Sequence, residues 1–399
     1  MKTMLSLLGA LSIGLNAIAA DPPAYTLHEW GTFTSVSGSD GVLLPGLQRE
    51  EEPLPLFVLS HDGMANQFTP GGAFMKGWRR PLSNVTIKME TPVIYFYANQ
   101  QFNAHVQVGF NGGSISQWYP PRSGGETPPP YTIVSNWPHG GDIDFAKTYH
   151  GNIEWNVQIQ PRSADDNASI FKPGQTLTWV YPRQTDSALV RAAGGAAEKF
   201  LFYRGVGNFS LPVKFTLPGD QSLRIENASR SAIPALLIFN RPRYDDQVDF
   251  ALLDPLKAGE TRSTRLSTPD FSPDWRHEVY AAMRKTLVNA GLYPKEADAM
   301  LQTWWNSYFE RPGLRVFWIV PEDFTRSVLP LSVDPAPRQQ VRVLVGRSEL
   351  LTPSFEQDII QQFTKEDQSQ NYLRSDRFGL AYEARVNALA RHGQQAAMR

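Results

Sequence analysis

The sequence predicts an α+β protein that is mainly β: a large antiparallel β-sandwich region followed by a small C-terminal α+β domain. Two kinds of hydrophobic periodicity lead to this prediction. From Tyr25 to about Leu266, apolar residues recur at every second position between Gly, Pro and Asn turn signals, which is typical of strands. After Pro269 they recur every three to four positions, which is typical of amphipathic helices. The chain has 399 residues, of which 41% are hydrophobic, so it can bury a broad core.

The first twenty residues have the features of a secretory signal peptide. Lys2 precedes an apolar stretch from Met4 to Leu15, and Ala17 and Ala19 supply the small residues of a cleavage site after Ala19, with cleavage after Ala20 as the alternative. The chain contains no cysteine, whereas large secreted proteins of eukaryotes generally use disulfides, so we expect a bacterial protein of the periplasm or the medium. The predicted divisions are a signal peptide at 1–19, a β-sandwich region at 20–268 and a C-terminal α+β domain at 269–399.

The β region is expected to contain many short strands. Phe102–Tyr119 alternates on both sides of the turn Asn111-Gly112-Gly113, which predicts a β-hairpin. Ile153–Ile159 alternates with polar residues, which predicts a strand with one wet face. Phe200–Tyr203 and Pro234–Phe239 are apolar on both faces and are expected to be central strands. This pattern fits either one large β-sandwich or two stacked ones.

The C-terminal region combines helix signals with two further strands. Proline at the first position of a helix and glycine just past its end mark the helix boundaries. The expected elements are, in order, a helix from Ser272 to just before Gly291, a helix from Pro294 through Tyr308, strands Leu314–Val320 and Val341–Val345, a helix capped at Thr352-Pro353, and a last helix carrying Phe378 and Leu389.

Charge and motifs exclude several functional classes. The chain has 38 Lys+Arg against 39 Asp+Glu, so it lacks the basic excess of a nucleic-acid-binding protein, and no nucleic-acid partner is expected. P-loop, H-E-x-x-H, G-x-S-x-G and EF-hand patterns are missing from the sequence, so no cofactor is predicted. No apolar stretch after the signal peptide is long enough to cross a bilayer, so we expect no integral membrane segment after cleavage.

The most unusual local sequence contains the weak catalytic candidates His28 and Glu29. In a regular strand Glu29 shares a face with Tyr25, Leu27 and Phe33, where burial would raise the pKa of its carboxyl as in a general acid. The alternatives are a buried anchor paired with an arginine, or a bulge at Gly31 that turns the side chain away. A second weak candidate, Glu90, shares its face with Lys88, which also fits an ordinary ion pair at the start of a strand.

A candidate binding surface lies in and beside two long loops, at about 38–81 and at 119–131. Trp78, Trp118, Tyr119 and Trp137 fall there, and Arg122 is close to them in the sequence. Exposed aromatic rings beside guanidinium groups form a stacking platform for sugars, whose C–H faces are apolar. The competing interpretation is that these rings pack in the core, as most aromatics of a β-protein do.

One cluster has the composition of a candidate metal site. His139, Asp142, Asp144 and His150 would offer nitrogen and oxygen ligands to a divalent ion, and the glycines between them would let the chain bend around it. Asp-x-Asp is also common in turns, and a solvated loop fits the same residues.

Several segments together resemble a family of exported bacterial proteins that has no assigned activity. They are HEWGTFTSV at 28–36, EEEPLP at 50–55, KMETPVIYFY at 88–97, GSISQWYP at 113–120, KFLFYRGVG at 199–207 and RVLVGR at 342–347. The resemblance covers nearly the whole chain after the signal peptide. It implies export and a bacterial source, and no mechanism.

These observations predict a non-catalytic exported protein that binds a glycan or an envelope protein. The alternative is a hydrolase acting on a polysaccharide, with Glu29 and Glu90 as the acid and the base. Such an enzyme needs the two carboxyl groups roughly 5–9.5 Å apart in an open cleft.

Overall fold

The structure is a computed structural model of the 399-residue chain. It describes residues 23–51, 54–61, 63–64, 82–127, 132–134, 137–139, 143–163, 170, 177–365 and 371–397. The predicted signal peptide therefore lies outside the described residues. None of the described helices has the length and apolar character needed to cross a membrane.

The strands are distributed along most of the chain. The first are β1 (Tyr25–Ser37), β2 (Leu59–Ser60), β3 (Gly63–Met64), β4 (Leu82–Ser83), β5 (Ile87–Met89), β6 (Val93–Ala98), β7 (Phe102–Asn111), β8 (Gly113–Tyr119) and β9 (Gly124–Gly125). Next come β10 (Thr132–Val134), β11 (Trp137–His139), β12 (Ile143–Asp144), β13 (His150–Gln160), β14 (Leu189–Ala192), β15 (Ala197–Glu198), β16 (Leu201–Gly207), β17 (Val213–Gly219) and β18 (Ser222–Asn227). The last are β19 (Leu236–Arg241), β20 (Gln247–Leu253), β21 (Thr261–Arg265), β22 (Asp270–Phe271), β23 (Gly313–Ile319), β24 (Leu331–Asp334) and β25 (Gln339–Leu350).

The helices lie mainly in the C-terminal part. They are α1 (Leu177–Val180), α2 (Trp275–Asn289), α3 (Pro294–Tyr308), α4 (Glu322–Val328), α5 (Pro353–Phe363) and α6 (Gly379–Ala397). The sequence signals act locally here: Pro294 begins α3, the Thr352 hydroxyl accepts from the Phe355 amide to cap α5, and Gly291 follows α2 with a φ of 115°.

A large mixed sheet forms the centre of the fold. Within the described residues it has twelve strands, in the order β22-β20-β19-β23-β25-β1-β5-β16-β8-β2-β3, with β6 beside β1 and β16. One face packs against the sheets β15-β14-β13-β7-β24 and β17-β18-β21, through residues such as Phe33, Trp155 and Phe215. The other face is covered by α2 and α3, through residues such as Trp30 and Trp304. The central strands carry apolar residues on both faces, and each face is covered by another layer, so both sides of these strands are buried.

The mainly-β α+β class predicted from the sequence is confirmed, and two local predictions are wrong. α2 begins at Trp275, after Asp274, and not at Ser272. β7 and β8 do not form a hairpin, because the turn at Asn111-Gly112-Gly113 carries the chain from one sheet to the other. β7 pairs with β13 and β24, while β8 pairs with β16 and β2. The division between residues 268 and 269 stays a prediction, and the large sheet takes strands from both sides of it.

Candidate functional site

The unusual N-terminal sequence forms β1, at the centre of the large sheet. β1 pairs in parallel with β25 in unbroken register from Thr26 to Ser37, so there is no bulge at Gly31. A side chain at Gly31 would meet the Pro92 backbone, since an added Cβ lies 2.8 Å from Pro92 Cα. The glycine therefore lets β1 and the segment before β6 approach closely.

Glu29 is a buried anchor. Its side chain is 0% exposed, and its carboxylate accepts hydrogen bonds from Arg342 Nε at 2.5 Å and from the Tyr203 hydroxyl at 2.6 Å. Burial, together with the negative charge of Glu29, holds the pKa of Tyr203 well above its usual value, so this phenol stays a hydrogen-bond donor. The placement matches the arginine-paired alternative and gives Glu29 no contact with an open cleft.

His28 points to the opposite face and joins β1 to α3. Its Nδ1 lies 2.8 Å from Glu296 Oε2, and its ring stacks on Tyr293 with 4.3 Å between centroids. Glu296 also accepts from the Tyr97 hydroxyl at 2.8 Å and from the Tyr293 amide at 2.7 Å. With 1% of its surface exposed, His28 holds the first turn of α3 against the sheet.

Glu90 does not form an acid–base pair with Glu29. It lies on the helical side of the sheet, where it lines a cavity of about 40 Å³ with Trp179 and Trp304, and its Oε1 is 3.5 Å from Lys88 Nζ. Glu29 is sealed on the side of the sandwich core, next to Tyr203. The hydrolase hypothesis requires both carboxyl groups to face one open cleft, and Glu29 and Glu90 do not.

In the predicted aromatic platform, the two rings that the structure describes are buried. Trp118 and Tyr119 are 4% and 9% exposed, and Arg122 stacks over the Trp118 ring with its Cζ 4.3 Å from the centroid. Trp78 lies outside the described residues, and only the backbone of Trp137 is described, in β11. Trp118 and Tyr119 therefore pack in the core, contrary to their predicted role in stacking.

Glu126, which was not predicted from the sequence as a site residue, lies close to this aromatic pair. Its carboxylate accepts hydrogen bonds from the Ser114 hydroxyl at 2.9 Å and from the Ile115 amide at 2.5 Å. Burial raises the pKa of Glu126 to about 7 despite these bonds. Since both donors belong to β8, the carboxyl ties the segment after Arg122 to that strand.

The metal candidates are only partly described. Asp144 Oδ1 accepts from the Asn84 side-chain amide at 2.7 Å and from the Ala146 amide at 2.9 Å, which is the arrangement of a turn. His150 Nδ1 lies 3.0 Å from Asn111 Oδ1. Asp142 and the side chain of His139 lie outside the described residues. In the part of the chain that is described, no group of three or more His, Asp or Glu side chains converges as metal ligands would.

An ionic network lies under the C-terminal helices. Arg377 Nη1 is 2.6 Å from Glu51 Oε2, and Arg347 Nη2 is 3.1 Å from the same oxygen. Arg347 Nε is 2.7 Å from Glu349 Oε1, and Arg315 Nε is 3.1 Å from Glu349 Oε2. Lys88 completes the network through a close ion pair with Glu51. We call these residues the ionic floor.

The ionic floor is buried, and its carboxylates stay ionised. Burial alone would raise the pKa of Glu51, but the charges of Arg347, Lys88 and Arg377 outweigh it and hold that pKa well below its usual value. The pKa of Glu349 is lowered for the same reason, by Arg315, Arg347 and Arg377. Burial lowers the pKa of Arg315 to about 10, so this guanidinium is still charged at neutral pH.

Above the ionic floor lies a cavity of about 790 Å³. Two of its lining residues are strongly exposed tyrosines: Tyr244, on the loop after β19, is 70% exposed, and Tyr372, on the turn Tyr372–Ser375, is 67% exposed. The other polar lining residues are Glu51, Asn240, Arg243, Ser307, Arg311, Glu349, Thr352, Ser354, Asp358, Ser375, Asp376 and Arg377. We call this the tyrosine cavity, and it combines exposed aromatic faces with hydrogen-bond donors and acceptors.

This site was not predicted from the sequence. Its residues come from distant parts of the chain and meet only in the fold. One usable signal is Arg241-Pro242-Arg243-Tyr244, where Arg241 ends β19 and a second arginine and an aromatic residue follow at a proline-marked loop.

No protein-family model and no curated protein sequence matches the chain. Among solved structures, it is similar to the yeast delta-COP-I mu-homology domain complexed with a Dsl1 WxWxV peptide, at 8% identity and a TM-score of 0.27, over 82% of this chain and 96% of that one. A second structure of the yeast delta-COP-I mu-homology domain gives 7% identity and a TM-score of 0.26, over 82% and 95%.

Proposed function

We propose that this protein is an exported, non-catalytic binding protein and that its ligand is a glycan held in the tyrosine cavity. The observation that carries the proposal is the pair of exposed rings, Tyr244 and Tyr372, lining one cavity of about 790 Å³. Cavities of roughly 300–1,000 Å³ are the usual size for small-ligand sites.

The composition of the cavity favours a sugar over an apolar ligand. Tyrosine faces stack against the C–H faces of pyranose rings, while the phenol hydroxyl stays available for hydrogen bonds. Asn240, Asp358 and Ser375 line the same cavity and offer the acceptors and donors that sugar hydroxyls need. The cavity therefore offers tyrosine rings to the apolar faces of a sugar and hydrogen-bonding groups to its hydroxyls.

The carboxylates of the ionic floor favour binding over hydrolysis. A glycosidase needs one carboxyl whose pKa is raised, so that it can protonate the leaving oxygen. Glu51 and Glu349 line the cavity, but their pKa values are lowered by the cations bonded to them. Neither carboxyl is suited to act as a general acid at neutral pH.

We also propose export to the periplasm or the medium, on the strength of the N-terminal sequence and the family resemblance. Intact-mass measurement of the protein recovered from a bacterial host expressing the full chain tests this. We expect the mass of a chain beginning at Ala20, or at Asp21 if cleavage follows Ala20. Recovery of the full-length chain in the cytoplasmic fraction alone would contradict export.

The binding proposal is tested by affinity electrophoresis of the mature protein in gels containing neutral or acidic polysaccharides. We expect retention by at least one of them. Retention of the double variant Tyr244→Ala with Tyr372→Ala should be at least about fivefold weaker, if each ring stacked on a sugar contributes as much as an aromatic pair does beyond its buried area, roughly 0.5–1.5 kcal/mol.

Phe271→Ala is the matched control, because Phe271 is 66% exposed and does not line the tyrosine cavity. This variant should be retained like the wild type, and all three proteins should melt at similar temperatures because the substituted side chains are exposed. Equal retention of the double tyrosine variant and the wild type would refute the site, and no retention of the wild type by any of the polysaccharides would refute the glycan.

A further inference from the structure

Two arginines of the tyrosine cavity differ from the cations around them. Arg243 and Arg311 are exposed, and in the described part of the chain neither has a carboxylate within 4 Å. Arg311 instead donates from Nη1 to the Tyr244 hydroxyl at 3.3 Å. The neighbouring Arg241 and Arg377 are both paired with glutamates. Among the described residues, the cavity wall thus presents two guanidinium groups that form no ion pair within 4 Å, and the more distant charges of Asp376 and Glu51 act on Arg311.

The loop that carries Arg243 and Tyr244 is fixed from beneath by Arg241. This side chain is 4% exposed; its Nε donates to the Asp245 carbonyl at 2.9 Å, and its Nη1 donates to the carbonyl of Glu310. Because Asp245 belongs to the Arg243 loop and Glu310 precedes Arg311, one buried guanidinium holds both cavity-lining segments together.

The Arg311 segment is fixed in a second way. Arg315 Nη2 donates to the carbonyls of Arg311 at 3.0 Å and Pro312 at 2.8 Å. Gly313 has a φ of 137°, and a Cβ at this position would lie 2.8 Å from Arg315 Nη2. The backbone that presents Arg311 is therefore positioned before any ligand arrives, which lowers the entropic cost of binding.

We infer that the ligand of the tyrosine cavity is an acidic glycan whose anionic groups are bound by Arg243 and Arg311. This inference rests on the proposed glycan-binding function. Guanidinium groups match carboxylate and sulfate oxygens with paired, charge-assisted hydrogen bonds. Four carboxylates of the described residues line the cavity. Glu51 and Glu349 on the floor are each bonded to at least two cations, and Asp376 accepts from the Phe378 amide at 2.8 Å. Asp358, on α5, is the fourth, so the anionic groups of the ligand are placed at the two arginines.

The first test compares ligands that differ in charge. The wild-type protein is titrated with polygalacturonate, with the same polymer after methyl esterification, with dextran sulfate and with neutral dextran. We expect the methyl ester to bind at least tenfold more weakly than polygalacturonate, since esterification removes the charge and keeps the sugar rings. Preference for polygalacturonate assigns the anion to a carboxylate, and preference for dextran sulfate assigns it to a sulfate ester.

The second test removes the two charges from the protein. Arg243→Gln with Arg311→Gln should weaken binding of the preferred acidic polymer at least tenfold. Arg230→Gln with Arg338→Gln removes the same charge from exposed positions that do not line the cavity, and should bind like the wild type. Melting temperatures of both double variants should stay near that of the wild type.

The outcomes separate the two proposals. Equal affinity for neutral and acidic polymers, with loss of binding in the double tyrosine variant, would overturn the acidic ligand and leave glycan binding in place. Equal weakening by the cavity and control arginine pairs would also overturn it, because the effect would then be one of overall charge. Failure of the wild type to bind any of the polymers would overturn both proposals.

Discussion

Replacing Arg342 with methionine is expected to lower the free energy of unfolding by about 3–5 kcal/mol, the cost of leaving a buried charge without its partner. Arg342 donates to Glu29 at 2.5 Å, and Glu29 is fully buried between β1 and the sandwich core. The methionine keeps the apolar packing of the arginine stem but removes the counter-charge. Urea unfolding followed by tryptophan fluorescence measures the loss.

Two comparisons make this result interpretable. Arg338→Met is the matched control, since Arg338 is exposed just before β25, and it should change stability by less than about 0.5 kcal/mol. Adding Glu29→Leu to Arg342→Met should restore part of the loss, because no unpaired charge is then buried, although the Tyr203 hydroxyl loses its acceptor. A loss below about 1 kcal/mol for Arg342→Met alone would show that Glu29 does not depend on this pair.

The elements that the sequence predicted are those with local causes. α3 begins at Pro294 and α5 at Pro353, because proline and a capping threonine act within one turn of the helix. β13 follows from simple alternation. The parity of β1 likewise placed Glu29 on the face of Leu27 and Phe33, where the structure has it.

The elements that the sequence did not predict depend on distant partners. The parallel pairing of β1 with β25 joins residues more than 300 positions apart, such as Glu29 and Arg342. Periodicity shows that each strand is buried but does not say which strand lies beside it. The assumed hairpin at Asn111-Gly112-Gly113 failed for the same reason: the turn signal was real, but the partners of β7 and β8 lie elsewhere.

The candidate site could not be predicted from the sequence for a related reason. Tyr244, Arg311 and Tyr372 stand in separate loops, and none of the three has a chemical signature of its own. The aromatic residues selected from the sequence were clustered along the chain, and Trp118 and Tyr119 belong to a central strand and are buried. Aromatic residues that are close together in the sequence were buried in the core at this place. A binding surface needs exposed side chains, and their exposure depends on the fold.

Replacing Glu51 with glutamine is expected to destabilise the protein at neutral pH by about 3–5 kcal/mol, because Arg347, Lys88 and Arg377 lose the carboxylate that they share. The effect should depend on pH in a defined direction. The pKa of Glu51 is lowered in the folded state, whereas an unfolded glutamate has a pKa of about 4.3. Between these two values the unfolded chain binds the extra proton, so acid favours unfolding of the wild type.

The difference in unfolding free energy between wild type and Glu51→Gln should therefore be constant from pH 7 to about pH 5, and then shrink by up to about 1.4 kcal/mol per pH unit below about pH 4.3. Urea titrations at pH 7, 5, 4 and 3 measure it. Glu322→Gln is the control, since Glu322 forms an exposed i,i+4 pair with Arg326 and should change stability little at any pH. If this difference stays the same from pH 7 to pH 3, Glu51 is not held ionised by the three cations. The rigid floor of the tyrosine cavity depends on that ionised carboxylate.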